Sequence, residues 1–251
     1  MKISLAELHR MCTAAASAAG ASRLVARSLA DATVDAEACG QKAVGVAHFF
    51  DYLDAFRAGR IDPIAMPVLM RIKPGIFHSD AKGGIAQLGF DRAFNRFAAA
   101  ATKHGLALFT QTNAWTCGAL GYHAERLARQ GLVALAATNA SAMIAGGGAI
   151  RPIYGTNPMA FAAPVAGGSP LLVDQSSSAT AFVNVRAARE RGSAIPDGWA
   201  IDRDGNPTND PKAAMKGALL AFGGARGGNL ALMVEVLAAG LSGANWSLDA
   251  P

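Results

Sequence analysis

Residues 106–138 read LALFTQTNAWTCGALGYHAERLARQGLVALAAT, and this stretch decides the fold class. Leu106–Gln111 is an apolar run of strand length, too short for a stable helix. A polar loop follows, and Gly118–Gln130 then carries apolar residues at helical spacing until Gly131 stops it. Leu132–Thr138 is a second apolar run of strand length. Strand, helix and strand in such close succession place the chain in the α/β or α+β class.

The pattern extends in both directions. Towards the N-terminus, Asp91 is a candidate N-cap for a helix ending at His104, with Gly105 after it. Val68–Ile72 and Gly75–Asp80 read as short strands. Before Pro63 and Pro67 the chain is helical: residues 4–19 with Leu5, Leu8, Met11 and Cys12 as the apolar stripe, 22–38 behind the N-cap Ser22, and 45–58. Towards the C-terminus, Pro158–Ala163 and Pro170–Val173 read as strands. Thr180–Arg191 and Arg226–Leu241 read as helices, and Ile195–Asp210 as a polar, turn-rich excursion around Asp204-Gly205-Asn206-Pro207. The expected organisation is an N-terminal helical segment, 1–66, on the substrate side and an α/β domain, 67–251, for a cofactor.

Composition narrows the function classes. The chain has 251 residues, 51% of them hydrophobic and only 16% charged, so it can bury a large core. The net charge of +5 comes without any long basic run, since Glu190 interrupts the densest stretch at Arg186, Arg189 and Arg191. That modest excess suits small anionic partners better than nucleic acid. The 3 cysteines show no CxxC spacing, which fits a reducing cytoplasm and argues against a disulfide framework or zinc ribbon. No signal-peptide h-region and no apolar run of membrane-spanning length is present. The GxGxxG, P-loop, GxSxG and HExxH motifs are all missing, so neither a standard dinucleotide fingerprint nor a catalytic metal is expected.

Four segments carry chemistry. In Gln111–Tyr122, Gly118 and Gly121 open a helix whose free N–H groups favour an anion, and Thr112, Asn113 and Thr116 supply side-chain hydrogen bonds. In Phe222–Gly227, Gly223 and Gly224 precede another helix start, with Arg226 and Gly227 in its first turn and Arg226 suited to a phosphate. By themselves, ordinary turn-and-cap glycines are the simpler explanation of both loops. Asp174, at a strand end before Ser176 and Ser177, suits ribose binding or proton handling, or else the N-cap of the helix near Thr180. Thr138 and Asn139 end a strand, and Thr156 and Asn157 precede Pro158 in a stiff turn, so both pairs are candidates for substrate contacts.

In this order and spacing the four segments resemble the malate/L-lactate dehydrogenase-like family, through the GTNP element of 155–158 and the FGGxxG element of 222–227 together. The resemblance runs through the whole chain. It implies a mostly antiparallel, non-Rossmann sheet flanked by helices, a cytoplasmic homodimer, and NADH or NADPH as cofactor. The reaction it implies is hydride transfer to C2 of a small 2-oxo acid or cyclic imino acid. It places Asp174 in the active site, Ser176 and Ser177 beside the nicotinamide, and the two glycine loops on the dinucleotide. Most relatives carry Ser-His-Gly and then an arginine one turn later on the third helix. Here those positions are Ala43-Val44-Gly45 and His48. His48, one turn along the same face, is the candidate replacement acid; packing against Phe49 and Tyr52 is its alternative. The chain also stops at Pro251, short of the length such proteins commonly have, so a truncated, non-catalytic form that keeps cofactor binding is the rival expectation.

Overall fold

The computed structural model describes residues 3–250. They form a mixed α/β structure of helices and small sheets, divided into two compact units: residues up to 134 with 161–172, and 135–160 with 173 onward.

Unit 1 opens with helices α1 (Leu5–Ala18), α2 (Arg23–Ala38) and α3 (Val46–Arg57), with a 3₁₀ turn at Lys42–Val44 before α3. The hydroxyls of Ser4 and Ser22 accept from the N–H groups of Glu7 and Val25, so both serines cap as their residue type suggests. The buried stripe of α1 is narrower than its sequence implies. Cys12 and Ala16 are buried with Leu8 beside them, whereas Leu5 and Met11 are exposed. An apolar stripe covers one face only, and Met11 lies a quarter-turn off it.

Strands β1 (Val68–Lys73) and β2 (Ile76–Asp80) form an antiparallel hairpin, and β3 (Leu108–Thr112) joins β2 in parallel. The crossover is α4 (Ala86–His104), held on the sheet by ring contacts of Phe90 with Phe109 and of Phe97 with Phe77 at 5.7 and 6.2 Å. α4 starts five residues before Asp91, which therefore caps nothing. The Asp91 carboxylate accepts instead from Ser28 and from Arg126 of α5 (Leu120–Ala128). Burial of Ala86, Leu88 and Phe90 carries the helix past the candidate stop. Ile85 and Leu88 share one core with Val25, Leu29, Tyr52 and Phe56, so the division into units does not fall at residue 66.

The unit boundaries lie in β4 (Ala134–Ala137), β7 (Met159–Ala163) and β8 (Leu171–Gln175), three strands bonded in the order β4-β7-β8. Unit 2 adds β5 (Ile144–Ala145), β6 (Pro152–Tyr154), β9 (Ala200–Ile201) and β10 (Ala218–Leu220) in a sheet of order β6-β5-β10-β9. The β5–β10 pair is parallel and the other two are antiparallel. Helices α6 (Phe182–Arg191), α7 (Pro211–Ala214) and α8 (Ala225–Glu235) complete the unit, α8 running on into a π turn at Val236–Gly240. Ile144, Val185, Ile195 and Leu219 make the core between α6 and this sheet. Strands of two or three residues have no readable alternation, which is why β5, β6, β9 and β10 are not legible in the sequence.

Candidate active site

Residues expected to do chemistry fall in both units. In unit 1, α3 begins where the Glu37 carboxylate of α2 accepts the Val46 N–H at 2.8 Å. Val44 and Gly45 have no side chain that can cap, so the neighbouring helix supplies the acceptor. His48 lies in the first turn of α3, its side chain 23% exposed. Nδ1 is 2.9 Å from Asp51 Oδ2, and the ring meets Tyr52 edge-on at 5.0 Å. Nε2 has no partner among the described residues. Phe49 points into the core instead. Val44 is packed against Ala32, Ala36, Ala119 and Tyr122.

Tyr52 links this helix to the loop before α5. Its hydroxyl donates to Thr116 O at 2.6 Å and accepts from Gln87 Nε2 at 2.9 Å. Burial pushes the phenol well above its ordinary range, so Tyr52 acts as a neutral hydrogen-bonding group. Gly118, two residues ahead of α5, has its Cα face beside the same Tyr52 hydroxyl and Gln87 amide. Gly121 is buried in the first turn of α5. The fold thus gathers His48, Tyr52, Thr116 and Gly118. Thr112 and Asn113 serve the loop itself, through His78 Nε2 at 3.2 Å and Asp80 Oδ1 at 3.0 Å. Hydrogen bonds from Lys82 and Asn113 hold the Asp80 carboxyl down at about 2.

In unit 2, Gly146–Gly148, Gly223 and Gly224 line one side-chain-poor cleft of about 710 Å³ with Ala179, Ile201 and Leu220. Gly223 and Gly224 take φ of 57° and 64°, the left-handed region glycine enters without steric cost, and a Cβ on either would project into open space. In the first turn of α8 the Gly227 and Gly228 N–H groups donate to Phe222 O and Gly224 O, and those of Ala225 and Arg226 are left to meet an anion. Arg226, exposed in that turn, has no ion-pair partner among the described residues. Bare backbone, a helix N-terminus and a free guanidinium fit the diphosphate of a dinucleotide. Gly227 differs: it is buried, and a Cβ there would sit 2.2 Å from Phe222 O, so it serves close packing.

A buried polar network braces the cleft from behind. Asn157, 0% exposed with φ of 39°, donates to Ala231 O of α8 at 3.0 Å and accepts from Ser247 Oγ. Glu235, 2% exposed, accepts from Ser247 N at 3.0 Å and Asn139 Nδ2 at 3.1 Å. Thr138 Oγ1 donates to Asn139 O, and Ser177 donates through Oγ to Asn157 O and through N to Thr156 O. Ser176 pairs with Ser178 at 2.9 Å. Asn139 and Asn157 therefore hold loops in place with their side chains. Asp174 lies inside β8, eight residues before α6, whose N-cap Ala181 makes no side-chain bond; the helix-cap alternative for Asp174 does not hold.

Sequence reasoning missed Asp51, Tyr52, Glu235 and the Gly146–Gly148 wall. An acid three residues after His48, and three consecutive glycines, were readable signals; the Tyr52–Thr116 and Glu235–Ser247 bonds left none. The ligand atoms of Asp35, Cys39 and Glu125 also meet within 4.8 Å only in the fold, and Arg129 already occupies Glu125 at 2.8 Å.

The Malate/L-lactate dehydrogenase family model matches residues 3–251. A (2R)-3-sulfolactate dehydrogenase (NADP(+)) of Chromohalobacter salexigens is 39% identical over 99% of this chain and 74% of that protein. A delta(1)-pyrroline-2-carboxylate/delta(1)-piperideine-2-carboxylate reductase of Pseudomonas putida is 37% identical over 99% of this chain and 73% of its own. The crystal structure of delta1-piperideine-2-carboxylate reductase from Pseudomonas syringae superposes with a TM-score of 0.97 at 36% identity, covering 100% of this chain and 76% of that one. The chain belongs to the malate/L-lactate dehydrogenase family.

Proposed function

We propose that this protein reduces C2 of a small anionic carboxylate, a 2-oxo acid or a cyclic imino acid, with NADPH or NADH. The observation that carries the reading is the glycine-lined cleft ending on the α8 N-terminus and Arg226. A bound NADPH or NADH would supply the hydride for C2, and a further proton would go to the substrate oxygen or nitrogen. Gly223, Gly224 and Arg226 hold the diphosphate, with Gly118, Gly121 and Thr116 shaping the second loop. Ser176 and Ser177 flank the nicotinamide, and Thr138, Asn139, Thr156 and Asn157 set the walls of the substrate side. The helices up to residue 66 bring the proton donor and the remainder of the chain the cofactor loops. A cytoplasmic homodimer is the working unit.

His48 hands over the proton. Asp51 only accepts hydrogen bonds when ionised, so it holds one proton on Nδ1, and the proton that leaves is the second one, on Nε2 of the imidazolium, which ends as the neutral ring. Asp174 shares the proton handling. An imine that arrives already protonated on nitrogen asks less of such an exposed acid than a ketone does. This favours pyrroline- or piperideine-2-carboxylate, the substrates in the name of the Pseudomonas putida relative. His48→Ala is expected to lower kcat by ~10²-fold with a 2-oxo acid and by much less with an imino acid. Equal losses on both would remove His48 from the proton path.

Arg226→Gln is expected to raise the Kd for NADPH roughly tenfold, the value of one charge-assisted contact, with kcat at saturating cofactor nearly unchanged. Tryptophan quenching by NADPH reads the Kd. The central test is cofactor oxidation by purified protein with pyruvate, oxaloacetate, sulfopyruvate and piperideine-2-carboxylate. No turnover on any of them, together with no quenching, overturns the proposal.

A further inference from the structure

Away from every residue assigned above, unit 1 carries a cationic recess. Arg71 of β1 and Arg96, Lys103 and His104 of α4 surround a hollow of about 410 Å³ floored by Leu69, Phe77 and the alanines at 99 and 100. No acidic residue lines it. Helical spacing puts Arg96, the two alanines and Lys103 on one face of α4. Strand alternation puts Leu69 and Arg71 on one face of β1. The small alanines leave the space that the basic side chains border.

An ordinary solvated face does not account for this grouping. Lys103 and His104 stand in the last turn of α4, where basic residues complement the helix dipole. Arg96 is two turns earlier and Arg71 is on a strand, so neither answers to that cause. The helix end offsets only about half a charge, against three permanent cations. Arg71 is moreover already ordered. Its Nε and Nη2 donate to Pro74 O at 3.2 and 2.9 Å, and its guanidinium lies 5.9 Å over the Phe77 ring. Nη1 and one hydrogen of Nη2 remain to donate, at little further loss of freedom. Arg96 and Lys103 have no ion-pair partner among the described residues.

We infer that this recess binds a small organic phosphate, a phosphomonoester dianion held by Arg71, Arg96 and Lys103 with its apolar body against Leu69 and the alanines. Three cations around one hollow match a dianion with three terminal oxygens, and arginine pairs with phosphate through two bonds at once. A monocarboxylate would leave most of that charge uncompensated. The hollow is within the size range of small-molecule pockets. The site shares no residue with the candidate active site, so its ligand is a separate effector and not the cofactor.

Phenyl phosphate, which lacks any cofactor moiety, is the probe, titrated calorimetrically into the full chain at about 0.15 M salt to screen diffuse attraction. The expected result is saturable one-to-one binding, tighter than inorganic phosphate, with no binding of phenol. R96Q/K103Q should weaken it roughly tenfold or more, and Arg226→Gln should leave it unchanged. Circular dichroism confirms folding of each variant, and either single substitution, at an exposed position, carries the same comparison should the pair disturb the fold. Absence of saturable binding, equal binding by R96Q/K103Q, or loss on Arg226→Gln alone would overturn the assignment.

Discussion

Gly227→Ala is expected to lower the stability of unit 2 by about 2 kcal/mol and to cost most of the affinity for NADPH. A Cβ at this position would lie 2.2 Å from Phe222 O, 2.9 Å from Phe222 N and 3.1 Å from Phe222 C, all backbone atoms with no rotamer to escape into. The Gly227 N–H donates to that same carbonyl at 3.0 Å, and the Phe222 N–H donates to Ser177 O at 3.1 Å. Displacing Phe222 therefore strains two loops at once. Overpacking of this kind costs ~3 kcal/mol, and the better helix propensity of alanine returns at most ~1. At two to four degrees per kcal/mol for a chain of this size, Tm should fall by roughly 4–8 °C.

Gly223→Ala is the control. Its Cβ would meet nothing within 4 Å, so only the left-handed φ of 57° resists it. That strain is worth about 1 kcal/mol. Denaturant unfolding of the two variants separates the cases. A Gly227→Ala protein as stable as the parent would show that Phe222 yields freely, and that close packing is not the role of Gly227.

The second large effect is acid loss of stability through His123 of α5. The ring is buried, edge-on to Phe90 at 4.9 Å and to Tyr122 at 5.2 Å, with Nε2 3.4 Å from Cys117 O. Burial penalises the imidazolium first, and the nearby Arg126 guanidinium adds to it against the opposing pull of the Cys117 carbonyl and Asp91. Together these hold the group down to about 4.

A histidine lowered in the fold binds its proton later than the unfolded chain does. The unfolded form protonates from about pH 6.5, so stability is complete above that value and falls as pH drops towards 4. The slope approaches ~1.4 kcal/mol per pH unit for one proton, a total of roughly 3 kcal/mol over the window. Urea unfolding at successive pH values should show this decline in the parent and a flatter profile in His123→Leu. An identical slope in both proteins would assign the proton elsewhere.

Much of unit 1 was legible because its signals are local. Ser4 and Ser22 cap where serines before an apolar period should, and Gly20, Gly105 and Gly131 follow helices as stops. Asp91 misled for the same reason: an N-cap residue type, it has long-range partners, Ser28 and Arg126, that no spacing announces. Of the site residues, Gly223, Gly224 and Arg226 were readable from the loop-to-helix pattern. Asn139 and Asn157 were readable as special but not as braces, since their partners Glu235, Ala231 and Ser247 lie 74 to 96 residues away.

Residues 106–138 by themselves determined the α/β class, the two strands and the helix between them, because period and glycine stops are properties of neighbouring residues. The GTNP and FGGxxG elements likewise determined the family, and with it the expectation of a nicotinamide cofactor. Only the tertiary structure decided how α5 begins, two residues after Gly118, with the preceding loop tied to Tyr52. Only it decided that Gly146–Gly148 and Gly223–Gly224 face one cleft, and that Asp51 rather than a neighbour on another helix orients His48. The physical reason is the same throughout. A side chain's conformational preference is set within one turn of chain, whereas its hydrogen-bond partner is set by which surfaces pack, and packing joins residues at any separation.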